Sequence, residues 1–329
     1  MLNFRRSGTF SKDFRKWIDD YALRKRQEEL LRGREPRRSH PSVRNYVSAL
    51  DLILDYEYDI SRRLSIHDIN DDFLANLIAY ATELRVSTTE HKYLTKGGMS
   101  NGTVNKRIDA LFFFMESTYP GKLLIQRPKH LETLKHRVIR LDIGELRELE
   151  SLEIDNPVYD RTRDYFLFLC YTGLRYSDFV KLDSSYYETD TGDLVLNTNK
   201  TSKSCRIHLN PKALAIARKY DFRFRPGCNQ DLNRYIKLLL KEYHLFETEE
   251  TVEYMKRTRQ TRVALKRELI SCHTGRRTYI SILAENGMSA YEIMSATGHT
   301  QVQTVMRYID LFGPGRREKF AALDRLFTE

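Results

Sequence analysis

A periodicity that changes once along the chain constrains the fold more than anything else in the sequence. Phe14, Trp17, Ile18 and Tyr21 recur at i, i+3, i+4 and i+7, the spacing that gathers residues on one side of an α-helix. The same spacing returns at Val43, Tyr46, Val47 and Leu50, and again at Ile108, Leu111, Phe112 and Met115. With a fourth stripe around Phe73, Leu77 and Leu84, these segments predict a small helical bundle over residues 1–125. Its breaks are the turn-rich stretches GREPRRSHPS (33–42) and TKGGMSNGT (95–103). The basic, weakly patterned segment QRPKHLETLKHRVIR (126–140) reads as an interdomain linker, and 141–329 as a second domain.

In that second domain the period alternates between helix and strand. Asp142 and Glu145 have capping-box spacing ahead of Leu146, Leu149 and Leu152. A helix through Tyr165, Phe166 and Leu169 should stop near Gly173, and the alternating runs DLVLN and CRIHL predict paired strands between Tyr186 and Leu209. Helices are expected from Pro211 and over LNRYIKLLLKEY, then a basic hairpin over TVEYMKRTRQTRVALKREL. Two helices should follow His273, separated by an Asn286–Gly287 stop and a Ser289/Glu292 capping box. The last helix should carry Val302, Val305, Met306 and Ile309 on one face. The predicted fold class is mainly α with a small antiparallel β-sheet (α+β).

Composition restricts the partners. At 329 residues the chain is long enough for two cores. Its 55 Lys and Arg against 45 Asp and Glu give a net charge of +10, spread along the sequence, which favours a polyanion. No apolar run approaches the roughly 20 residues of a membrane span, and the N-terminus has no signal-peptide core. A cytoplasmic protein without a membrane partner is the expectation. The four cysteines form no CxxC pair, so neither a disulfide framework nor a zinc site is expected, and no cofactor is implied.

Several polar residues stand where a core would be apolar. Arg175 sits in YTGLRYSDF, where an aromatic helix runs into a glycine turn; an ion pair with Asp178 or Glu145 is one explanation, an anion site another. In SCHTGRRTYIS (271–281), His273 and Arg276 share one side of a helix start, where free N–H groups and the dipole favour an anion. Arg277 points elsewhere. His299 follows a helix stop, and Tyr308 falls about 100° off the centre of the last apolar stripe, so a rigid helix could hold its hydroxyl in a cleft.

Taken in order, TGLRYSD, NKTSKSCRIHL, HTGRRTYI and TGHTQVQTVMRYI resemble the motifs of the tyrosine recombinase, or phage-type integrase, family. SVRNYVSALDLI and SNGTVNKRIDALFFF look like the core-binding helices of integrases from mobile elements of Bacteroides-type bacteria. The resemblance implies a helical, SAM-like core-binding domain followed by a recombinase catalytic domain. It implies a site-specific recombinase that integrates, excises or inverts a mobile element through a 3′-phosphotyrosine intermediate, with Arg175, Lys200, His273, Arg276, His299 and Tyr308 as its catalytic set. Arg175 and Arg276 would clamp the phosphate, Tyr308 attack it, His273 take the tyrosine proton or assist the phosphate, His299 hydrogen-bond the phosphate and Lys200 protonate the departing 5′ oxygen. Lys203, on the same turn, is the competing acid. Double-stranded DNA is the implied partner, bound by a tetramer with DNA-bending accessory proteins. Arg44, Lys106, Arg107, Lys129, Arg257 and Arg259 are candidate DNA contacts. A type IB topoisomerase and a recombinase-derived regulator without turnover share parts of this pattern.

There are departures. Too few residues precede Trp17 for the arm-binding domain that relatives often carry. Gly275 stands where many have Ala or Leu, and Thr297 where Leu is commoner; neither is expected to touch the chemistry.

Overall fold

The computed structural model describes residues 9–33, 40–83, 98–123, 125–134, 138–197 and 204–308. The chain divides into two compact units, Met1–His136 with Glu253–Arg262, and Arg137–Val252 with Val263–Glu329.

The first unit is built from α1 (Phe10–Leu31), α2 (Pro41–Asp59), α3 (Asp71–Thr82) and α4 (Asn101–Thr118). Each stripe read from the sequence lies on one of them, and Phe14, Ile18, Leu50, Phe73, Leu77, Ile108, Leu111, Phe112 and Met115 are buried together; Leu84 lies outside the described residues. The Phe14 and Phe114 rings stack with centroids 4.2 Å apart. α3 begins where the Asn70 side chain accepts from Phe73 N at 2.8 Å, satisfying a backbone donor that the helix itself leaves open.

The described residues between α4 and Ile143 have no helix or strand, yet they are pinned. Asn105 Nδ2 donates to Leu131 O and Leu131 N donates to Asn105 Oδ1, both at 2.9 Å. Asn101 Nδ2 donates to Glu132 O, also at 2.9 Å. The amide side chains of α4 do for this stretch what a neighbouring strand would do.

In the second unit α5 (Ile143–Glu150) starts at the expected capping box, Asp142 and Glu145 bonding each other's backbone N–H at 2.8 Å. α6 (Pro157–Thr172) is its central helix and α7 (Tyr176–Phe179) a single turn after it. Tyr165 to Cys170 are all buried. So long an apolar run means a helix covered on all sides, here by α8 (Pro211–Lys219), α9 (Asn229–Glu242) and α11 (Cys272–Glu285). β1 (Tyr187–Glu188), β2 (Asp193–Asn197) and β3 (Ser204–His208) form an antiparallel sheet. Its register opposes buried Leu194 and Ile207 on one face and sets Val195 against Arg206 on the other.

β4 (Glu249–Lys256) and β5 (Thr258–Leu265) make the expected basic hairpin, but its last residues depart from it: Lys266–Leu269 form a helical turn, α10. Lys266 is tied there by its ammonium to Glu145 Oε1 at 2.5 Å. α12 (Ala290–Thr297) and α13 (Val302–Met306) complete the unit. No helix among the described residues is long and apolar enough to cross a membrane.

Gly275 has a structural use that its neighbours reveal. A Cβ there would stand 3.0 Å from both the Leu169 carbonyl carbon and Leu169 Cβ, and 3.2 Å from Cys170 N. Only a residue without a side chain lets α11 approach the backbone of α6 this closely.

Candidate active site

Arg276 is the centre of the site. It lies one turn into α11 and is 3% exposed, although a buried cation is costly unless its donors are met. Its Nη1 donates to Gly173 O at 2.7 Å and its Nη2 to Thr297 O at 2.6 Å. Gly173 caps the C-terminus of α6 in the left-handed conformation, φ 63°, and Thr297 is the last residue of α12. Two helix C-termini, each carrying partial negative charge, therefore face one guanidinium; each contributes about 0.3–1 kcal/mol at a surface and up to about 2 kcal/mol when buried. Burial first, and Arg175 second, push Arg276 down to about 10, while Tyr308, Asp178 and Cys205 act the other way. It keeps its charge at neutral pH.

Arg175 stands at the N-cap of α7 with its Nη1 3.9 Å from Asp178 Oδ2. Of the two ion pairs open to it in the sequence, the described structure has the one with Asp178. That contact is too long for a hydrogen bond, and Arg175 Nη1 is a buried atom with no hydrogen-bond partner among the described residues. Two guanidiniums thus repel each other beside one buried carboxylate. Cys205 on β3 does not neutralise them: burial and Asp178 push its thiol up to about 11 against the pull of both arginines.

Gly298 ends α12 at φ 65° and turns the chain so that His299 comes back against Arg276. Arg276 Nη2 lies 3.3 Å from His299 Nδ1 and 3.2 Å from Nε2, and Thr297 Oγ1 lies 2.6 Å from Nδ1. Thr297 therefore touches both Arg276 and His299, contrary to the expectation that its identity is indifferent to the site. A threonine directly before a glycine helix stop is the signal that could have shown it, because such a hydroxyl bonds back to the i−4 carbonyl and is fixed in place.

His273 is the second residue of α11, exposed, one turn before Arg276. Tyr308 differs from the expected helical tether. α13 ends at Met306, and Tyr308 lies in the turn beyond it, its N–H closing on Val305 O at 2.9 Å. An i→i+3 bond of this kind tightens the chain out of the α-helix. Tyr308 is half-buried against Ile280, Ile293 and Val305. Met306, expected on the apolar stripe, is 39% exposed, since its helix is too short to carry the stripe on. Ile309, Lys200 and Lys203 lie outside the described residues.

The candidate DNA contacts divide. Arg44, Lys106 and Lys129 are exposed. Arg257 and Arg259 are exposed on the hairpin and paired: Arg257 Nη1 reaches Glu83 at 2.9 Å and Arg259 Nη2 reaches Glu253 at 2.5 Å. Arg107 turns inward. Burial lowers its pKa, and Asp51 and Asp55 on α2 pull it back up. The side chain is partly open to solvent, and its Nη1 is a buried atom with no hydrogen-bond partner among the described residues.

The family model for the phage integrase family matches residues 140–313. The chain therefore belongs to the phage integrase family, whose members are the tyrosine recombinases. A TnP I resolvase of Bacillus thuringiensis is 23% identical over 175 residues, so the match spans only 52% of this chain and 56% of that protein. The Tn1549 transposon integrase in complex with transposon right-end DNA has the same fold, with 13% identity, TM-score 0.65 and coverage of 97% of this chain and 99% of that one. So do the XerH site-specific recombinase bound to a palindromic difH substrate (15%, TM-score 0.60, 94% and 84%) and a lambda integrase dimer bound to a COC′ core site (14%, TM-score 0.60, 94% and 79%).

Proposed function

We propose that the protein is a site-specific DNA recombinase that cuts and rejoins strands through Tyr308. The observation that carries this is the Arg175–Arg276 pair: a buried cation and a half-buried one acting on each other, with one buried carboxylate nearby and one unsatisfied donor on Arg175. Such a pair is repulsive until an anion enters, and a planar guanidinium fork suits the non-bridging oxygens of a phosphodiester.

Tyr308 Oη attacks the phosphorus, a P–O bond forms to the tyrosine, and the bond to the 5′ oxygen breaks. The tyrosine proton goes to His273 and Lys200 gives one to the leaving oxygen. Arg175 and Arg276 hold the charge that builds on the pentacovalent phosphorus, so no metal ion is needed for that task. His299 contacts the same phosphate. The bond energy is conserved, and rejoining to another strand needs no ATP. Arg44, Lys106 and Lys129 add contacts to the duplex backbone, along with Arg257 and Arg259 once their carboxylate partners are displaced. The active form is a tetramer on two DNA sites, working in the cytoplasm with DNA-bending accessory proteins.

Tyr308→Phe on duplexes carrying the DNA junctions that flank the encoding gene tests this. Wild type should form a covalent protein–DNA adduct, resistant to EDTA, and the variant none, with duplex affinity nearly unchanged because one hydroxyl adds little to many phosphate contacts. An adduct persisting in the variant, or a requirement for magnesium, overturns the assignment.

A further inference from the structure

Thr297 is 1% exposed, and its Oγ1 lies 2.5 Å from Ile293 O and 2.6 Å from His299 Nδ1. A carbonyl has no proton to give, so at Ile293 the hydroxyl donates. That uses its single proton. At the 2.6 Å contact the hydroxyl oxygen must therefore accept, and the donor is His299 Nδ1–H. The neutral ring then carries its lone pair on Nε2.

Arg276 does not contest this arrangement. Its Nη2 is nearly equidistant from the two ring nitrogens, at 3.3 and 3.2 Å, which sets it over the ring face and away from the in-plane lone pair of either. The Thr297 carbonyl meanwhile holds the same Nη2 at 2.6 Å. Among the described residues, the charged and titratable groups that act on Arg276 include Arg175 and Asp178 at α7, Cys205 on β3 and Tyr308 after α13.

We propose that Thr297 is a positioning residue. Its hydroxyl fixes the His299 tautomer with the proton on Nδ1, and its carbonyl fixes Arg276. Nε2 is thereby the nitrogen that takes up a proton when a phosphate enters. A leucine or valine in this place keeps the carbonyl and gives up the hydroxyl. The role in cleavage rests on the recombinase reading above; the tautomer does not.

The test is nitrogen-15 NMR of the full chain with labelled histidine, with His299 identified among the nine histidines by the signal lost in His299→Asn. Wild type and Thr297→Ser should show protonated Nδ1 and bare Nε2, and Thr297→Val should lose that signature at unchanged melting temperature. Thr297→Val should also cut the rate of covalent adduct formation on the order of 10–10²-fold, the scale on which losing the partner that orients a reacting imidazole is felt, and Thr297→Ser should restore it. Wild type with bare Nδ1, a Thr297→Val protein that keeps the wild-type signature, or adduct formation indifferent to the tautomer would each overturn the proposal. If Thr297→Val does not fold, wild type and Thr297→Ser decide the tautomer alone. If Tyr308→Phe still forms adduct while the tautomer responds as expected, the recombinase reading fails and the hydroxyl's control of His299 stands.

Discussion

Arg107 and Arg276 are both helix arginines turned toward the interior of their units, and both have lowered pKa values because burial disfavours their charge. They differ in what surrounds them. Around Arg107 the further influences are two aspartates, Asp51 and Asp55, that offset its charge. At Arg276 the largest influence after burial is a second arginine. Carbonyls satisfy the geometry of Arg276 but leave its positive charge in excess. A cation matched by acids supports the fold, whereas one matched by dipoles and set beside its like is prepared for an anion from outside.

Removing the charge at each place tests the distinction most severely. Arg276→Ala should lower adduct formation by about 10³–10⁵-fold, the range in which arginines stabilise phosphoryl-transfer transition states. A 5′-phosphorothiolate substrate, whose leaving group needs no acid, should rescue Lys200→Ala and leave Arg276→Ala defective; rescue of both would mean that Arg276 acts on the leaving group. Gly275→Ala should shift α11 off α6. We expect a loss of about 1–3 kcal/mol in denaturant unfolding, as for other overpacked core sites, with slower cleavage, and unchanged stability would show that the helices separate freely.

Arg107→Met should be the mirror image of Arg276→Ala. Cleavage should hold within about twofold while stability falls by about 1–2 kcal/mol, less than the cost of stranding a fully buried acid because Arg107 is partly open to solvent. A lost DNA affinity with intact stability would instead return Arg107 to the surface. The smallest effect is expected at its neighbour: Lys106→Ala should reduce the slope of log K against log salt by about one, the signature of one phosphate contact, and Arg107→Met should leave that slope alone.

The helical stripes were legible because burial of one face demands the period that exposes it, and α1, α2 and α4 carry them where the spacing puts them. What surrounds Arg107 is hidden from the sequence for a related reason. Periodicity says on which side of α4 a residue lies, but not that Asp51 and Asp55 stand opposite it on α2. Arg175, Arg276 and His299 were legible as polar residues at helix ends, and the described residues bring the three together. What holds Arg276 was not, since its acceptors are backbone carbonyls, and every residue has one. Gly275 and Thr297 read as harmless replacements because a sequence does not record that a Cβ would meet a neighbouring backbone at 3.0 Å or that a hydroxyl has already spent its proton.

The two carbonyls that hold Arg276 also set a timetable. Gly173 precedes it by 103 residues, and Thr297 follows it by 21. A chain emerging from the ribosome therefore has Gly173 and Arg276 before it has the second anchor, and Tyr308 arrives later still. Because the first unit takes in Glu253–Arg262, it too is completed only shortly before Arg276. On the recombinase reading, the nucleophile is thus the last piece of the described site to be made.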